Sequence, residues 1–253
     1  MTSVSAAITR QPAAAPRAHA NLRREHRFFT GMAIAMAIVC FAGFAPSYYL
    51  KAHFGTPQLT PLVHFHGLVF TLWIVLLIVQ TSLVANGRVR LHRQLGLAGA
   101  ALAVLMFVSA AAVALVRGKT VTPGVPHDAV LAFLAIAVVA LLLFPALIGA
   151  ALYFRRDAGA HKRLMMLATT VFVSAAVHRL LMWLIDPAIG PPVFFGATDL
   201  FIVALAVYDL STRGRLHAAT FWGGLTIIVA QPAAILLGES QAWMTFAHWI
   251  TGT

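Results

Sequence analysis

Seven apolar stretches recur along the chain, at residues 28–50, 61–84, 97–116, 129–154, 164–185, 192–210 and 219–237. A hydrocarbon layer about 30 Å thick takes about 20 residues of helix at 1.5 Å per residue, so each stretch is about long enough to cross it. In lipid every peptide N–H and C=O must be satisfied within its own segment, which makes such crossings helices. Of the 253 residues, 60% are apolar and 10% charged, with a mean hydropathy of +0.87; soluble domains have roughly 45 to 50% and about 25%. An ordinary water-soluble enzyme is excluded. The expected fold is an all-α polytopic membrane bundle of seven transmembrane helices, built as a single domain from residues 28–253, with the lipid bilayer as its first partner. Residues 1–27, rich in Ala, Pro and Arg, read as a disordered basic cytoplasmic arm. The run at 28–50 is longer than the apolar core of a cleaved signal peptide and reads as an uncleaved anchor.

The net charge of +11 comes from 18 Lys and Arg against 7 Asp and Glu. In a soluble chain that excess would suggest nucleic acid. Here the basic residues fall in short clusters between apolar runs, and no basic stripe with interleaved aromatics could follow a phosphate backbone. Nucleic acid is therefore not an expected partner. Fourteen of the basic residues lie in the amino-terminal arm and in the second, fourth and sixth connections; three (Lys51, Arg117 and Lys119) lie in the others, and Arg179 lies within a span. That asymmetry predicts a cytoplasmic amino terminus, a periplasmic carboxyl terminus and an odd number of spans. Tyr48, Tyr49, Tyr153, Trp183, Tyr208 and Trp222 near run ends read as an interfacial aromatic belt.

Three of the cytoplasmic connections each carry a basic cluster and one histidine, His92, His161 and His217, and Phe107-Val-Ser-Ala-Ala recurs as Phe172-Val-Ser-Ala-Ala. One reading is a leading helix followed by three repeated helical hairpins; the other is coincidence arising from an Ala-rich, positive-inside sequence. The three histidines themselves, each beside Lys or Arg at a helix end, read as solvated or facing headgroups, with a second haem site there as the alternative. Tyr208 and Asp209 are expected to close a helix end and pair with nearby arginines, as are Glu25 and Asp157.

Ionisable groups within the bilayer are costly and turn toward the bundle interior, so they are the best functional markers. Thr170, Ser174, His178 and Met182 recur every four residues on one face of the fifth span, with Arg179 beside it; His66, Trp73 and Gln80 recur every seven in the second. Counting 1.5 Å per residue from Asp186 and Pro192 puts Arg179 and Asp199 each roughly 10 Å below the outer boundary. An Arg179–Asp199 ion pair, or a competing His178–Asp199 hydrogen bond, would neutralise that level. Gln231, ahead of Pro232, and His66 lie at similar depth, giving a polar layer in the outer half with His64 and His127 near its mouth. Neutral imidazoles ligate iron, copper and zinc, so this layer could hold a haem b or a transition metal, with His66 and His178 as preferred axial pair or metal ligands. The alternative is that these side chains only hydrogen-bond across helices.

Several chemistries lack their parts. Lys51, Lys119 and Lys162 all lie in connections, so no span offers a retinal Schiff base. The last span lacks the histidine pair of haemolysin-type zinc hydrolases, His248 lying beyond it. No Gly-rich phosphate loop, Ser-His-Asp order or paired intramembrane carboxylates occur, and no catalytic set is assigned. The one cysteine, Cys40, excludes an intramolecular disulfide, a Cys-based zinc site and an iron–sulfur cluster, and reads as a small buried hydrophobe.

His64-Phe-His66-Gly67, Trp73, Gln80, His92-Arg-Gln-Leu-Gly96, His161-Lys-Arg-Leu-Met with Ala-Thr-Thr following, Tyr208-Asp-Leu and Thr212-Arg-Gly-Arg-Leu-His217 together resemble a family of poorly characterised bacterial multispanning inner-membrane proteins. The resemblance covers about residues 61–249 and implies a bacterial inner-membrane location. A looser similarity is to di-haem membrane cytochromes of the b type, from which the chain departs in having seven spans and no clean pair of histidine pairs. The leading expectation is a membrane redox protein in which the outer polar layer binds haem or a metal and exchanges electrons with a redox partner. A cofactor-free carrier of protons or a small solute, and a membrane assembly or scaffold protein, are the alternatives.

Overall fold

A computed structural model describes residues 14–121 and 124–253 of the chain. Among them are eight α-helices: α1 (Ala14–Phe44), α2 (Pro61–Ala85), α3 (Val89–Lys119), α4 (His127–Tyr153), α5 (Ala158–Leu184), α6 (Pro191–Arg213), α7 (Ala218–Glu239) and α8 (Gln241–Thr251), with a π-helical turn, Ala45–Tyr49, continuing α1. The first seven are long and apolar enough to cross a membrane. The bundle of seven expected from the sequence is what forms. Residues 14–27 of the expected structureless arm are helical and continue into the first span; the rest of that arm, residues 1–13, lies outside the described residues.

Helix ends follow local chemistry. Thr60 caps α2 with Pro61 at its first turn, and Asp157 caps α5 by accepting from Gly159 N at 2.8 Å and Ala160 N at 3.1 Å. Gly214, at φ 69°, ends α6 in the left-handed conformation that glycine adopts without strain.

Helix α5 is the hub, packed against α1, α4, α6 and α7. It is among the least apolar spans and yet the most enclosed, with more than half of its crossing window buried, whereas the more apolar α3 is the most peripheral. A span with many hydroxyls and charges is destabilised by lipid contact, so it belongs in the middle. Close approaches make room for this. A Cβ on Gly43 of α1 would lie 2.2 Å from the Ala176 carbonyl oxygen of α5, and one on Gly238 of α7 2.5 Å from that of Ala132 on α4. Backbones meet there without side chains between them, as is usual in membrane helix contacts.

The eighth helix is absent from the sequence reading. Ser240 caps it through Trp243 N at 3.2 Å, and Trp243, Ala247 and Thr251, four apart, bury one face. Trp243 Nε1 donates to the Leu131 carbonyl of α4 at 2.8 Å. At eleven residues the helix is too short to span, and Trp249 stands 77% exposed on its other side. Of the residues expected in the aromatic belt, Tyr153, Trp183 and Trp222 are exposed, whereas Tyr208 is buried and stacked on Phe28 at 4.1 Å.

Candidate functional site

The expected α5 stripe does face inward. Thr170 is fully buried, Ser174 lines a cavity between α4, α5, α6 and α7, and the His178 ring sits between Phe133 of α4 (5.4 Å) and Phe194 of α6 (4.5 Å). The cavity is about 30 Å³ and takes its polar groups from Thr170, Ser174, Thr198 and Gln231. A water needs roughly 10 to 15 Å³ of such space, so one or two fit and a haem does not. Gln231 Nε2 donates to Asp199 Oδ1 at 2.7 Å, tying α7 to α6 at the edge of this layer.

That bond replaces both partners expected for Asp199. No ion pair joins Arg179 to Asp199, and no hydrogen bond joins Asp199 to His178, among the described residues. Arg179 turns toward α1, its guanidinium 4.7 Å from the Phe44 ring centre and Nη1 donating to Ala175 O at 3.4 Å. The expected direction of Arg179 is thereby corrected. Arg179 follows His178 by one residue, about 100° around the helix, so it faces α1 when His178 faces α4 and α6.

The four histidines proposed as ligands do not converge. His66 packs on Phe70 at 4.2 Å, with Nδ1 3.4 Å from Ser109 Oγ of α3. His64 is exposed beside Tyr48, whose hydroxyl donates to the His64 carbonyl at 3.2 Å. His127 stands with His248 and Thr253 at the α4–α8 contact, Nε2 3.3 Å from Thr253 Oγ1. His178 has the phenylalanine cage just described. Among the described residues no three of His, Cys, Asp and Glu come together in a metal-binding group.

An extensively hydrogen-bonded polar centre lies at the opposite, arginine-rich end. Arg163, counted in the sequence among the solvated basic clusters, is 2% exposed, and Asp209 is 0% exposed. Arg163 Nε donates to both Asp209 oxygens at 2.9 and 3.2 Å, Nη2 donates to Oδ1, and Nη1 donates to Gly159 O at 2.9 Å. Asp209 Oδ2 also accepts from Thr220 Oγ1 at 2.6 Å and His217 N at 3.0 Å. The guanidinium packs near Phe29 and Tyr208, and Lys162 beside it pairs with Glu25, a lysine where an arginine was expected. Four helices, α1, α5, α6 and α7, are thereby joined at one point. A buried pair needs further hydrogen bonds to offset its desolvation, and here all three guanidinium nitrogens and both carboxylate oxygens have a partner. The pairing of Asp209 with an arginine was legible; its burial was not.

Two groups at this end outside the spans have shifted ionisation. The Ala160 N–H, aided by that of Gly159, holds the Asp157 carboxyl below the usual aspartate range, against a smaller opposing effect of burial. Burial, then the positive charges of Arg163 and Arg213, push His217 below the ordinary histidine value. Neutral His217 caps α7, its Nδ1 accepting from Ala219 N at 3.0 Å.

Compared with protein families, curated proteins and solved structures, the chain matches none.

Proposed function

We propose that this multi-pass membrane protein resides in a bacterial inner membrane with its amino terminus in the cytoplasm, and passes protons or another water-sized solute through the polar layer around Asp199. The single supporting observation is the Gln231–Asp199 hydrogen bond at the edge of a water-sized cavity lined by Thr170, Ser174 and Thr198. An adjacent guanidinium would hold the carboxyl ionised, whereas an amide donor leaves it free to exchange a proton with water. The Lys and Arg asymmetry supports the orientation, and the dispersed His-Phe-His-Gly, His-Lys-Arg and Thr-Arg-Gly-Arg motifs support membership of the bacterial inner-membrane group they resemble.

The test is proton flux in liposomes carrying an internal pH dye. Asp199→Asn should abolish flux while leaving the melting temperature near that of the unaltered chain; undiminished flux removes the reading. A Soret band, or one bound metal per chain, that disappears in His66→Ala and His178→Ala would replace it with electron transfer to a redox partner.

A further inference from the structure

Two of the three histidines at the arginine-rich end face each other. The rings of His92, four residues into α3, and His161, four residues into α5, have centroids 6.2 Å apart and planes at 79°. His161 Nδ1 lies 2.8 Å from the Ala151 carbonyl of α4, which can only accept, so Nδ1 carries the proton and Nε2 presents a lone pair. That is the arrangement by which a carbonyl fixes the tautomer of a ligating imidazole. His92 Nδ1 is buried with no hydrogen-bond partner, and so is Gln80 Oε1 of α2. Gln80 lies against the same face of α3, because its Nε2 is 4.0 Å from where a Cβ on Gly96 would stand, one turn beyond His92. Two buried, unpartnered electron-pair donors, on α2 and α3, thus share one corner of the bundle with the Nε2 lone pair of His161 on α5.

We propose that His92, His161 and Gln80 bind one divalent first-row transition-metal ion. A metal–nitrogen bond of about 2.0 to 2.1 Å puts a ring centroid about 3.2 Å from the ion, so two imidazoles on one ion stand about 5 to 6.5 Å apart. The observed separation falls in that window. Neutral imidazoles and an amide oxygen suit zinc, copper, nickel or cobalt. The cations adjoining His161 in the chain do not oppose an ion, since Lys162 is paired with Glu25 and Arg163 with Asp209; Arg93 is the arginine whose charge reaches His92. This site is independent of Asp199 and lies at the other end of the spans.

The experiment uses the full chain in detergent, stripped with a chelator and titrated with Zn²⁺ or Cu²⁺ alone. One ion should bind per chain. His92→Ala and His161→Ala should each weaken it more than about 100-fold and Gln80→Leu about 10-fold, with His66→Ala and His217→Gln unchanged. Copper paramagnetic resonance of the unaltered protein should show two coordinated imidazole nitrogens, a readout that does not depend on any variant folding. The proposal is overturned by absence of stoichiometric binding, by binding that survives both histidine changes, by a copper spectrum without two nitrogens, or by a haem Soret band that these histidines carry.

Discussion

Truncating Asp209 to alanine leaves the Arg163 guanidinium buried without a counter-charge and strips the acceptor from Thr220 Oγ1 and the His217 N–H. Removing one partner of a buried pair typically destabilises by about 3 to 5 kcal/mol. Both groups are at most 2% exposed, so water screening does not reduce that figure. At about 2 to 4 °C per kcal/mol for a chain of this size, the expected fall in Tm is about 6 to 20 °C. Cys40, the one cysteine and a free thiol, lets a thiol-reactive fluorophore report unfolding in detergent. The double variant Arg163→Met with Asp209→Leu should regain part of the loss, because no charge is then left unpaired, though Thr220 still lacks its acceptor. A Tm for Asp209→Ala within 2 °C of the parent, or a double variant as poor as the two single losses added, would refute the claim that this pair holds the arginine-rich end together.

Acid should act on the same end in two stages. His217 is held below the ordinary value of 6.5, so its contribution to stability is complete above that pH and declines as pH falls and the imidazole takes a proton. His217→Asn, which caps without titrating, should flatten the stability slope between pH 7 and 5, and an unchanged slope would sink the idea. Asp157 is held below 3.8, so its cap persists to lower pH and is lost only as pH falls through its depressed value; Asp157→Ala should destabilise by about 1 kcal/mol at pH 7 in thermal melts. Gly43→Ala should destabilise by roughly 1 to 3 kcal/mol through collision with Ala176, while Gly31→Ala on the same helix, with open space around its Cβ, should not; equal melting temperatures would contradict the α1–α5 contact.

Hydropathy made the spans legible because crossing lipid is a matter of length and greasiness, both additive along a chain. Periodicity likewise placed Thr170, Ser174 and His178 on an inward face, and Trp73, on the α2 stripe, donates to Thr169 of α5 at 3.2 Å. Which helix each inward group meets was not legible. Arg179 and Asp199 count to the same level along their spans in the sequence, yet one turns to Phe44 and the other to Gln231, because azimuth depends on how seven rods are arranged in the plane. Arg163 and Lys162 looked alike in sequence as members of a basic cluster; only packing distinguishes the buried one. Helix α8 had a readable sign in Ser240 and the four-residue spacing of Trp243, Ala247 and Thr251, but no long apolar run to announce it.

The central position of α5 has a bearing on how the molecule is made. This span leaves the ribosome before α6 and α7 exist, so Arg163 reaches the membrane while Asp209 and Thr220 are still unsynthesised. Until they arrive the guanidinium lacks its counter-charge, and burying that end of α5 is costly. Arrival of the sixth and seventh helices supplies that partner, so the last quarter of the polypeptide completes the packing of a rod made before it.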